Sequence, residues 1–258
     1  MQVPGVHSYL HRTTPQDEAR ERARQRLIVA LDAPDAASAM AMVDRLEGRC
    51  AWFKVGLELF VAAGPAAIEP LVKQGHQIFL DLKLYDIPNT VAGAVRSAAS
   101  LGVRMLTVHA LGGPAMLAAA REALGGMTAP PELLAVTVLT SVDEAQLKAV
   151  GLHRSPAHQV ELLAKVGLEA GIHGFVCSPL EAATLRQITG PAGVLVTPGI
   201  RPSTAGQGGV SDDQVRVATP ADALRQGASY LVVGRPITQA ANPAQAAEAI
   251  LEEMAMVV

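Results

Sequence analysis

Cysteine, aromatic side chains and net charge are all scarce in this chain. Only Cys50 and Cys177 are present, too few for a disulfide framework, which points to a reducing cytoplasm. Phe, Trp and Tyr make up 3% of the 258 residues, so a core has to be built from Ala, Val, Leu and Ile. That diet suits helices packed around a parallel sheet better than an antiparallel sandwich. A formal net charge of −3 gives no electrostatic footprint for nucleic acid or an anionic membrane surface. The apolar runs fall far short of the ~20 residues of a membrane span. Residues 1–26 lack the apolar stretch of a signal peptide. Neither G-x-G-x-x-G nor G-K-[ST] occurs anywhere.

What the chain does hold is aliphatic. Half of its residues are hydrophobic and 17% are charged, and 258 residues lie within the range of one α/β barrel. Eight short apolar runs recur, most ending in polar residues. The first four are "LIVALD" (27–32), "WFKVG" (52–56), "QIFLDLK" (77–83) and "VRMLTVHA" (103–110). The others are "ELLAVTVLTS" (132–141), "HGFVCS" (173–178), "GVLVTPG" (193–199) and "SYLVVGR" (229–235). Most stretches between them are Ala- and Leu-rich with helical periodicity, as in "DAASAMAMVDRLEG" and "VAGAVRSAASLG". Gly75, Gly102, Gly171 and Gly227 fit helix C-caps before the next run.

Strands alternating with helices imply a parallel sheet. Eight such units most simply close into a (β/α)8 TIM barrel, a single α/β domain over residues 27–258. An open doubly wound sheet is the competitor, but it usually announces its first turn with a glycine fingerprint. Residues 1–26 are read as an N-terminal extension, helical in part: "QDEARERARQR" (16–26) mixes both charge signs at helical spacing, as a solvated helix does.

In such barrels functional groups collect where strands end and βα loops begin. Asp32 closes the first run, Lys54 lies in the second, and Asp81 and Lys83 close the third. His109 closes the fourth, and Thr140 and Ser141 the fifth. Residues two apart on a strand share a face, so Asp81 and Lys83 are expected to point together into the barrel mouth, within reach of Lys54. Alternating in sign, such charges can satisfy one another. A buried ion-pair network that only holds the barrel together is the alternative reading.

"TPGIRP" (197–202) and "VVGRPIT" (232–238) place Gly and Arg just after the last two strands. Loops there form the common phosphate site of these barrels. Gly234 permits close backbone approach, and Arg235 adds a permanently charged fork of donors. Ordinary turns with solvated arginines are the alternative. Between the two motifs, "RPSTAGQGGVSDDQ" (201–214) has no regular period and reads as a loop, either a lid over bound phosphate or a plain connection. His7 and His11 are four apart but lack an adjacent Glu, and no metal site is expected there or elsewhere.

With these residues in view, the chain closely resembles the orotidine 5′-phosphate decarboxylase family, in its shorter bacterial branch. The matching elements are "LIVALD", "FKVG", "FLDLKLYDIPNTV", "TVHA", "AVTVLTS", "TPGIRP", "DDQVR.ATP" and "VVGRPIT", in family order over residues 27–240. The D-x-K-x-x-D core is shared with related enzymes; the following "IPNT", with "TPGIRP" and "VVGRPIT", makes the likeness specific.

The resemblance implies a cytoplasmic, cofactor-independent and metal-independent enzyme. It would convert orotidine 5′-monophosphate (OMP) to uridine 5′-monophosphate (UMP), with no nucleic-acid or membrane partner. It further implies that Asp32 and Lys54 hold the ribose hydroxyls and that Lys54, Asp81, Lys83 and Asp86 form an alternating tetrad. Asp86, Ile87 and Thr90 would come from the partner subunit of a homodimer. Thr140 and Ser141 would sit at the pyrimidine edge, with Pro198 also against substrate. Arg201, Gln214, Gly234 and Arg235 would grip the phosphate, Gln214 being favoured over Gln207 because it stands in "DDQVR". Tyr85 departs from the His of many bacterial relatives. Two other readings stay open: a Mg2+-dependent enediolate enzyme acting on a sugar phosphate, and a non-catalytic phosphate-ligand binder on the same barrel.

Overall fold

The computed structural model describes residues 14–202 and 216–258. Eight parallel strands close into a barrel in sequence order. They are β1 (Leu27–Ala30), β2 (Trp52–Gly56), β3 (Gln77–Leu84), β4 (Met105–His109), β5 (Glu132–Val136), β6 (Gly174–Val176), β7 (Val194–Thr197) and β8 (Tyr230–Val233). β1 pairs with β2 on one side and β8 on the other, which excludes the open doubly wound sheet. Each of the eight apolar runs supplies one strand.

Two apolar layers follow from the two-residue period of a strand. Leu27 and Val29 pack outward among the helices, while Ile28 and Ala30 face the barrel axis with Trp52, Phe79, Met105, Leu134, Val196 and Val232. The interior positions of β2 and β3 therefore read Trp52 then Lys54, and Phe79 then Asp81: apolar low in the barrel, charged toward its C-terminal end. Helices form the outer layer and are capped as their sequences dictate. Asp35, Ser155, Thr219 and Asn242 accept first-turn backbone N–H groups. Gly75, Gly102, Gly171 and Gly227 leave their helices with φ of 85°, 77°, 76° and 99°, the left-handed conformation that glycine takes without steric cost.

Before β1, the helix Pro15–Arg24 opens on a capping box between Thr14 and Asp17. It packs against the helix Pro243–Ala255, where Arg20 grips Glu248 through two bonds of 2.6 Å. That ion pair holds the Glu248 carboxyl below its ordinary range. Among the described residues no helix is long and apolar enough to cross a membrane.

The fifth run departs from expectation. It was read as a strand through Ser141, but β5 stops at Val136. Thr137 makes the last contact with β6: its N–H reaches the Val176 carbonyl at a long 3.5 Å, and its hydroxyl donates to the same oxygen at 3.1 Å. Thr140 and Ser141 accordingly sit in the loop, beyond the strand they were expected to close.

Candidate active site

At the C-terminal ends of the strands lies a cavity of about 310 Å³, at the small end of the range for small-molecule sites. Asp32, Lys54, Asp81 and Lys83 line it from the β1–β3 side. Thr140 and Ser141 border it after β5, and Pro198, Arg201, Gly234 and Arg235 after β7 and β8. Ten residues singled out in the sequence thus converge on one mouth.

The four charges there form two ion pairs. The Lys83 ammonium donates to Asp81 Oδ2 at 2.8 Å, and the Lys54 ammonium donates to Asp32 Oδ1 at 2.9 Å. Lys54 was expected to reach toward the third strand; its hydrogen bond goes to Asp32 instead. Register alone does not decide between the two carboxylates: Lys54 stands beside Ala30 and Phe79, and Asp32 and Asp81 each lie one interior step higher, level with Gly56. Gly56 has a steric role here. A Cβ at that position would come within 2.8 Å of Lys54 Nζ and 3.5 Å of Asp32 Oδ1, so the Lys54–Asp32 pair occupies the space that a side chain would take.

Asp81 and Lys83 share the cavity although the strand between them is not regular. Lys83 has φ +50°, a left-handed conformation that costs an L-residue roughly 1–2 kcal/mol. The ladder to β4 shifts register between Leu80 and Leu84. Simple two-residue alternation reached the right face for an incomplete reason: a bulge, not a flat strand, carries the ammonium.

Asp86, Ile87 and Thr90 are not brought to this cavity. All three are exposed, and Asp86 Oδ1 accepts the neighbouring Ile87 N–H at 2.6 Å. Pro88 then starts the helix Pro88–Ala99. Gln214 and Gln207, like His7 and His11, lie outside the described residues. The segment between Arg201 and Arg216 begins and ends at a pinned base: Arg201 N–H bonds Ala218 O at 2.9 Å and Ala218 N–H bonds Gly199 O at 3.1 Å. A Cβ on Gly234 would meet Ala30 and Asp32 at ordinary contact distances of 3.5 and 3.6 Å, so the chain's own packing does not demand a glycine there.

Several residues escaped the sequence reading. Thr107 of β4, fully buried, donates from its hydroxyl to Asp81 Oδ1 at 3.0 Å and accepts the Lys83 N–H at 2.8 Å. Glu181 and Arg216 form a buried ion pair; Arg216 also donates to Leu139 O at 2.8 Å, and Glu181 accepts the Ser178 N–H at 3.0 Å. One pair thereby ties together the loops after β5, β6 and β7. No local pattern marks Thr107 or Glu181 in sequence, since a lone Thr in a strand and a lone Glu before a helix are both commonplace.

Burial, with the nearby Lys83 ammonium, pulls the His109 imidazole below its ordinary range. Its ring lies against Tyr85, centroids 5.8 Å apart. Cys177 lines the cavity, but complete burial pushes its thiol up to about 12, so it is no thiolate nucleophile at neutral pH. Among the described residues, no group of three or more His, Cys, Asp or Glu side chains could hold a metal ion.

Comparison with known proteins agrees with this fold. The family model for orotidine 5′-phosphate decarboxylase / HUMPS matches residues 25–250. The chain is 51% identical to the orotidine 5′-phosphate decarboxylase of Moorella thermoacetica, covering 94% of this chain and 97% of that one. It is 53% identical to that of Alkalilimnicola ehrlichii, covering 89% and 96%. Among solved structures, the orotidine 5′-phosphate decarboxylase of Lactobacillus acidophilus superposes with a TM-score of 0.77 at 40% identity, covering 89% of this chain and 98% of that one. An uncharacterized conserved protein from Geobacillus kaustophilus gives 0.76 at 35% identity, covering 88% and 99%. A closed barrel, a charged mouth and a match over nearly the whole chain lead to one assignment: this chain belongs to the orotidine 5′-phosphate decarboxylase / HUMPS family.

Proposed function

We propose that the chain decarboxylates OMP to UMP, the last step of de novo UMP synthesis, without a cofactor and with Lys83 as the proton donor. The observation that carries this reading is the Lys83–Asp81 pair, 2.8 Å apart, on the wall of the cavity that Arg201 and Arg235 also line.

The chemistry explains why such a pair is useful. When the bond from C6 to the carboxylate breaks, its two electrons stay on C6 in the plane of the ring, where the π-system cannot take them up. Stabilisation must come from fixed charge nearby. The Lys83 ammonium supplies it, then transfers its proton to C6 as CO2 departs, and is reprotonated from solvent. Asp81 holds that ammonium in place. A carboxylate facing the substrate's own carboxylate would also repel it until CO2 leaves.

The remaining roles follow the positions around the mouth. Asp32 and Lys54 hold the ribose hydroxyls, and Thr140, Ser141 and Pro198 border the pyrimidine. Arg201, Gly234 and Arg235, with Gln214, take the phosphate; Gly234 admits a ligand where its own chain would tolerate a Cβ. Binding energy from the phosphate can then serve the distant reacting carbon. Asp86, Ile87 and Thr90, exposed and away from their own cavity, complete the site of a second subunit. Exposed apolar side chains on the neighbouring segments after β2 and β3, Leu57, Val61, Tyr85 and Ile87, support a homodimer there. Two buried free thiols suit a cytoplasmic location. Residues 1–26 are read as an N-terminal extension preceding the barrel domain; the family match begins at residue 25.

Following the ultraviolet absorbance of OMP with purified protein, with and without EDTA, tests the reading. We expect UMP as product and an unchanged rate in chelator. Loss of activity in EDTA would instead favour metal-assisted enediolate chemistry, and OMP binding without turnover would reduce the protein to a binder.

A further inference from the structure

β3 and β4 pair in step at Phe79↔Met105 and Leu80↔Leu106, and again at Leu84↔Val108. Between the last two pairs β3 contains Asp81, Leu82 and Lys83, whereas β4 contains Thr107 alone. Two surplus residues in β3 would ordinarily leave ladder groups unmade. The Thr107 side chain fills that gap: its oxygen accepts the Lys83 N–H at 2.8 Å and its hydroxyl donates to Asp81 Oδ1 at 3.0 Å. Asp81 then has one oxygen held by Thr107 and the other by the Lys83 ammonium at 2.8 Å. Thr107 itself is fully buried and does not line the cavity, so it cannot touch a ligand.

We infer that Thr107 is a positioning residue for the reaction: a single buried hydroxyl fastens both the bulge that aims Lys83 and the carboxylate that holds its ammonium. This rests on the proposed decarboxylation. The requirement is narrow. The group must donate and accept at once, which a hydroxyl does and a methyl does not. Valine has the same shape and suits a strand at least as well, so a purely structural role would tolerate it. Without the hydroxyl, a partly buried carboxylate oxygen and a backbone N–H both lose this partner, and the left-handed Lys83 loses the bond that offsets its strain. Within one subunit the ribose, pyrimidine and phosphate contacts arise from β1, β2, β5, β7 and β8, so substrate affinity should be largely spared.

Thr107→Val and Thr107→Ser, compared with wild type, test this. For Thr107→Val we expect kcat to fall by about 100-fold, the scale of a misplaced catalytic group, with KM and UMP affinity within about threefold of wild type. Thr107→Ser should recover most of the rate. Wild-type kcat in Thr107→Val, equal losses in kcat and UMP affinity, or a serine variant as slow as the valine one would each overturn the inference. If the valine variant does not fold, Thr107→Ser against Thr107→Ala carries the same comparison, and equal rates would overturn it. A crystal structure of the valine or alanine variant reads the geometry without any turnover, so it separates this inference from the choice of substrate. Lys83 should leave its left-handed conformation or its ammonium should part from Asp81; an unchanged pair would contradict the assignment.

Discussion

Gly56 shows how little of a charged site can be read from the charges alone. It closes β2 and looks like the start of a turn, yet its missing side chain leaves room for the Lys54 ammonium, which a Cβ would approach to 2.8 Å. We predict that Gly56→Ala folds with nearly normal stability, because the obstructed atom is the end of a flexible side chain. The displaced ammonium should nevertheless raise KM for OMP by about tenfold, the cost of roughly 1.4 kcal/mol of binding; titration with UMP and a thermal melt check both halves. His109 gives a residue-scale prediction in pH. Its imidazole, like that of His76, is held below its ordinary value by burial. The folded state thus binds fewer protons than the unfolded one, and stability should decline as pH falls below about 6.5, the unfolded-state value. Denaturant unfolding of wild type and His109→Gln across that range should show a shallower decline in the variant.

Elements were the more legible level. Eight aliphatic runs became eight strands because a low-aromatic, β-branched-rich stretch between Gly-capped helices has few other ways to bury itself. Strand ends were less so. β5 stops at Val136, not at Ser141, and the Thr137 hydroxyl shares the Val176 carbonyl with its own N–H, a tertiary contact that periodicity does not record. The bulge in β3 was equally invisible, since it depends on what β4 offers opposite Lys83. The Glu181–Arg216 pair belongs to this scale too, joining three loops around the mouth. Glu181→Gln keeps the side chain's shape but leaves the Arg216 charge buried without its counter-ion. Removing one partner of a buried pair costs about 3 kcal/mol, so the variant should melt several degrees lower; its KM for OMP should rise because Leu139, whose carbonyl Arg216 holds, adjoins Thr140 and Ser141. Normal stability with normal KM would show that the pair organises nothing.

Over the whole molecule, the barrel and most of the mouth were legible because their residues end strands, and strand ends of a barrel converge. The proposal that Asp86, Ile87 and Thr90 serve a second subunit rests on family resemblance, since nothing in the pattern of one chain says whether an exposed Asp86 serves another copy. That assignment has a quantitative consequence. Lys83→Ala and Asp86→Ala should each be nearly inactive as homodimers. Mixed and allowed to exchange subunits, half of the dimers are hybrids, each with one intact site of two, so about a quarter of wild-type activity should return. No recovery on mixing would place Asp86 outside the partner's site.

The catalytic reading depends on Lys83, the ammonium that Asp81 holds at 2.8 Å on the wall of the mouth cavity. The most direct measurement is the turnover of OMP by Lys83→Ala beside its affinity for UMP. The account predicts that turnover falls by at least about 10³-fold, more than the usual share of a single proton-transfer group because charge stabilisation is lost with it, while UMP still binds. Turnover near wild type in a variant that binds UMP normally would contradict it.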